Sequence, residues 1–102
     1  MRKIEVTISE DALEFIRSKA KELEFEEGEW ALQIHASVVG GLLLFDVQKI
    51  EVLEKEPLMF LMHEKGYKEL DFPIYFDQTQ MDYLPNEMHI HMHENGEKLD
   101  FN

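Results

Sequence analysis

At 102 residues, with 44% hydrophobic and 11% aromatic residues, the chain has the length of one domain and enough apolar side chain for a core without covalent staples. Its 22 acidic against 10 basic residues give a formal net charge of -12, which repels phosphate backbones and anionic lipid and argues against nucleic-acid and membrane partners. Cysteine is absent, so this chain can form no disulfide, zinc–thiolate site, nucleophilic cysteine or cysteine-ligated iron–sulfur cluster.

Met1-Arg2-Lys3 runs into Glu5 and Glu10, not into an apolar leader, and Leu42 to Phe45 is too short an apolar run to span a bilayer; the expectation is a cytoplasmic protein. Lys3 to Thr7 alternates, with Ile4 and Val6 on one side, and reads as a short strand. Ser9 is a candidate N-cap, with Glu10 and Asp11 in the first turn; Thr7 and Glu10 offer a competing capping box. From Ala12 to Leu23, Leu13, Ile16, Ala20 and Leu23 recur at spacings of three and four, which predicts an amphipathic helix. Trp30 to His35 alternates again, Ser37 to Gly41 reads as a turn, and Leu42 to Val47 as a second strand, together a hairpin that Gln48 to Leu53 could extend.

Pro57 interrupts the chain before the apolar run Leu58 to Met62, read as a strand closed by Gly66. Phe72 to Phe76 predicts a strand with Pro73 near its start. Asp77 can cap a short helix that faces Met81 and Leu84 inward and stops at Pro85-Asn86. Met88 to His93 alternates strictly, and after the Asn95-Gly96 turn Glu97 to Phe101 forms a last strand. The expected fold is α+β: one domain over residues 1–102, mainly antiparallel strands, one long N-terminal helix and one short helix. The apolar runs Leu42 to Phe45 and Leu58 to Met62 exceed what so small a core readily buries, which favours a homodimer or another protein partner.

The candidate site is Met88-His89-Ile90-His91-Met92-His93. In a strand, His89, His91 and His93 share one face, and alternate residues stand about 6.5–7 Å apart, so neighbouring imidazoles can converge on one cation. Imidazole suits a divalent transition metal, and Glu94 and Glu97 could complete the shell. A solvated strand face explains the same pattern. No catalytic residues emerge: the serines lack a nucleophile elbow, Gly40-Gly41 lacks a phosphate-loop context, and carboxylate pairs are everywhere in so acidic a chain. No cofactor-binding fingerprint is present and no enzyme is expected.

The order of the pieces resembles the HesB/IscA-like family, the A-type carriers of iron–sulfur cluster assembly. Val6-Thr7-Ile8-Ser9-Glu10-Asp11-Ala12-Leu13-Glu14-Phe15-Ile16 is similar to its first strand and helix. Leu32 to Leu42 resembles its strand, S-G-C-S-G loop and next strand, and Ile74-Tyr75-Phe76-Asp77, Tyr83-Leu84 and Met88-His89-Ile90 resemble its later strand, short helix and strand. Asn95-Gly96-Glu97-Lys98-Leu99-Asp100-Phe101-Asn102 is similar to its closing strand. Val39 stands where the family's loop carries its first cysteine, the C-G-C-G tail would begin after Asn102, and residues 48–71 are longer than usual. The resemblance therefore implies the fold and a partner surface, as in an accessory or binding protein of cluster biosynthesis, without cluster ligation by this chain.

Overall fold

The structure, a computed structural model, describes residues 3–36 and 43–102. The first strand, β1, is Glu5–Ile8, and its Val6 is buried with the preceding Ile4 while Glu5 and Thr7 are exposed. Helix α1, Glu10–Glu22, is capped by Ser9, whose hydroxyl accepts the Ala12 N–H at 3.3 Å. It buries Ala12, Ile16 and Ala20. The helix stops through a left-handed residue, Glu24 at φ 60°: the Phe25 N–H reaches Ala20 O and the Glu24 N–H reaches Lys21 O, the Schellman pattern without a glycine.

Six further strands follow: β2 (Trp30–Ala36), β3 (Leu43–Lys49), β4 (Met59–His63), β5 (Ile74–Asp77), β6 (Glu87–Met92) and β7 (Leu99–Phe101). They form a three-stranded sheet in the order β1-β6-β7 and a four-stranded sheet in the order β3-β2-β5-β4. The pairs β2–β3, β4–β5 and β6–β7 are antiparallel, while β1–β6 and β2–β5 are parallel. The expected α+β class, the β2–β3 hairpin and the strand at 59–63 are all present. The turn expected at Gly40-Gly41 and the position of Val39 lie outside the described residues.

One core serves both sheets. Ile4, Val6, Met88 and Ile90 from the smaller sheet join Leu32, Ile34, Ile74 and Phe76 from the larger, with Ile16 of α1 and Phe72 between them. Trp30 stacks on Phe72 with ring centroids 5.0 Å apart. The methionines divide: Met88 is fully buried, whereas Met59, Met62 and Met92 are half-buried.

The strand extension expected over Gln48 to Leu53 is corrected by a short helix, α2, at Ile50–Glu54. Apolar residues at 50, 52 and 53 satisfy both a two-residue and a three-residue period. Packing selects the latter: Leu53 is buried and Ile50 packs with it against Ala31 and Tyr75, on the sheet face opposite the main core, while Val52 is exposed. Burial there pushes the Tyr75 hydroxyl above its ordinary value, and Glu54 adds to the shift by charge and hydrogen bond. The helix expected after Asp77 is a 3-10 helix, Gln78–Tyr83, begun by Asp77 Oδ1 accepting the Thr79 N–H at 2.9 Å.

Candidate functional site

Strand β6 sets its alternation by burial: Met88 and Ile90 enter the core, and His89 and His91 take the outward face. Cross-strand neighbours share a face, so His89 stands beside Thr7 of β1 and His91 beside Asp100 of β7. The main chain at His89 is fixed by reciprocal bonds with Asn102, at 2.9 and 3.0 Å. The strand ends at Met92, one residue before His93.

Hydrogen bonds set the tautomers of two of the three imidazoles. His91 Nδ1 lies 3.1 Å from Met92 O, and a carbonyl only accepts, so Nδ1 carries the proton and neutral His91 offers the Nε2 lone pair. His93 is the reverse. Its Nδ1 accepts the Asn95 N–H at 3.2 Å, so neutral His93 presents Nε2–H and is a donor there, not a ligand. Near His91, the Ser9 hydroxyl bond holds the Asp11 carboxyl below its ordinary value; desolvation opposes it, and the Ala12 N–H and, more weakly, His91 add to the lowering. Among the described residues no three His, Asp or Glu side chains are grouped closely enough to hold a metal ion.

His93 instead lines a recess of about 310 Å³ with Leu43, Leu44, Phe45, Lys98, Leu99 and Asp100. The recess lies where β3 and β7, each at the edge of its sheet, approach one another. Leucine and phenylalanine give it an apolar wall, and His93 and Lys98 bring N–H donors to it. Asp100 spends one oxygen on the Phe101 N–H, 2.8 Å away. Such a recess can hold a small amphipathic group; among the described residues its lining offers no nucleophile with a base beside it.

Two polar arrangements had no sequence signal. His35 Nε2 meets Asp46 Oδ2 at 2.9 Å on the outer face of the β2–β3 hairpin, a pairing that follows only from the register. His63 and Tyr67 reach β1 across some 60 residues of sequence. Glu94 and Glu97, candidate partners of the histidines, are exposed in the β6–β7 turn. No described helix is long and apolar enough to cross a membrane.

No protein-family model and no curated protein matches the sequence. Among solved structures, the fold is similar to that of a proposed Fe–S biosynthesis protein from Lactobacillus salivarius whose crystal structure is described as a novel fold. The likeness has a TM-score of 0.60 at 12% sequence identity and covers 96% of this chain and 84% of that one. At that identity it establishes a shared fold.

Proposed function

We propose that this chain is a non-catalytic accessory or binding protein of iron–sulfur cluster biosynthesis, HesB/IscA-like in lineage, which acts through its surface and not through a cysteine-held cluster. The fold likeness, which spans 96% of the chain, carries this reading, and the absence of cysteine shapes it. The test is a cluster-transfer assay between a loaded scaffold protein and an apo-ferredoxin. Added chain should change the transfer rate at least twofold while retaining neither iron nor sulfide itself. An unchanged rate at saturating chain would remove the accessory role.

Of the mononuclear metal site expected at His89, His91 and His93, a weaker site at His89 and His91 without His93 is the second reading. Its support is that His91, held as the Nδ1–H tautomer, offers its Nε2 lone pair beside Asp100 and one strand step from His89. Metal analysis of untagged protein against His91→Ala decides it, and equal metal content in the two would end it. Exposed Leu58 and Leu61 support the self-association expected from the apolar runs, and light scattering at micromolar concentration should give a dimer. A monomer there would count against it.

A further inference from the structure

Strand β1 is the outer strand of its sheet, yet its outer edge is not bare. Its Glu5 and Ser9 N–H groups bond toward β6, to Asn86 O and Ile90 O. The groups that alternate with them, the Val6 N–H and the Ile4 C=O, therefore face away from the sheet. Each meets a side chain from residues 63–70. Val6 donates to the Tyr67 hydroxyl at 3.0 Å, and His63 Nε2–H donates to Ile4 O at 2.6 Å. The two rings are stacked, with centroids 3.6 Å apart and planes 7° from parallel. Lys68 lies over the Tyr67 ring at 5.5 Å and reaches Thr7 Oγ1 at 3.5 Å. Two side chains thus supply the donor and the acceptor that another strand would otherwise bring.

The backbone that presents Tyr67 is strained. Gly66 has φ 99°, and Lys68 and Glu69, both with a Cβ, follow at φ 47° and 66°. Two consecutive left-handed residues with side chains work against the closed arrangement, and such strain persists only where its surroundings impose it. The surroundings here are the pair of hydrogen bonds to β1, the ring stack, and a Gly66 N–H to Leu70 O bond of 2.8 Å. Both ends are anchored, His63 in β4 and Leu70 in the core, whereas Gly66, Lys68 and Glu69 are exposed.

We infer that residues 63–70 form a strap that opens as a local unit and uncovers the β1 edge without unfolding either sheet. Opening frees the Val6 N–H and the Ile4 C=O, neighbouring groups on one edge of the kind with which an extended segment pairs. Closure keeps that edge from pairing with other chains.

Amide hydrogen exchange on the full chain, read by NMR with low, sub-denaturing urea, tests this. In the unaltered protein the Val6 amide should exchange with almost no urea dependence, while the Leu32 amide, bonded to Pro73 O in the core, exchanges only through the urea-dependent global route. Tyr67→Phe should speed Val6 exchange about tenfold and leave Glu5 and Ser9 unchanged, because it removes a single hydrogen-bond acceptor. Lys68→Gly should slow Val6 exchange about twofold by relieving the left-handed strain. The inference is overturned if Val6 shares the urea dependence of Leu32, or if Tyr67→Phe leaves Val6 unchanged or speeds all these amides equally. Should Tyr67→Phe not fold, the urea dependence in the unaltered protein decides alone.

Discussion

The two sheets approach each other at two seams of different chemistry. Between β4 and β1, His63 and Tyr67 make directional bonds to named backbone atoms and stack face to face. Between β3 and β7 the contact is Phe45 against Phe101, half-buried rings 6.2 Å apart at 60°, beside the 310 Å³ recess. A further pocket of about 40 Å³, bordered by the exposed Lys19 and Asp46, is lined by Ile16, Phe45, Val47 and Leu99. The first seam is specified atom by atom and can open only by breaking named bonds. The second is held by non-directional contact and leaves room for a ligand.

The largest expected effect is at the open seam. Phe45→Ala removes a half-buried ring that borders both cavities and should cost about 2 kcal/mol, below the range for fully buried phenylalanines. Thermal denaturation should then fall by about 10 °C, with Leu32 exchange faster and Val6 exchange unaltered. At the closed seam, His63→Ala removes the ring stack and leaves the Ile4 carbonyl unpaired, at a cost of about 1.5 kcal/mol in urea denaturation. A loss at His63 larger than at Phe45 would reverse the comparison. Lys68→Gly should go the other way and stabilise by about 0.5 kcal/mol, since relief of left-handed strain exceeds the added freedom of the unfolded chain.

The smallest effect belongs to neither seam. Because the folded Asp11 carboxyl lies below its ordinary 3.8, its contribution to stability is complete above that value and is lost as pH falls through the lower, folded one. Asp11→Asn should flatten this acid slope in pH-dependent denaturation. It should leave Val6 exchange as it is in the unaltered protein at every pH, because the Asp11 carboxyl bonds to Ser9 and Ala12 at the start of α1 and not to the strap.

Local patterns made much of this fold legible. Leu13, Ile16 and Ala20 mark α1, and the alternation of Trp30, Leu32 and Ile34 marks β2, since each periodicity is decided within a few residues. Helix α2 was not legible, because Ile50, Val52 and Leu53 fit two periods and only packing on Ala31 and Tyr75 distinguishes them. At the candidate site, alternation places His89 and His91 outward, and burial of Met88 and Ile90 agrees. It does not foresee the tautomers, which depend on the Met92 carbonyl and the Asn95 amide. The seams were invisible for a further reason: Tyr67 meets Val6 from 61 residues away, and nothing near either residue signals the contact.

The proposed function has this chain act in iron–sulfur cluster biosynthesis without holding a cluster itself. Anaerobic reconstitution of the untagged chain with ferrous iron and sulfide, followed by desalting and visible absorption, tests it most directly. The account predicts a colourless protein with no retained sulfide. A stable cluster band carried through the column by the isolated chain would contradict it.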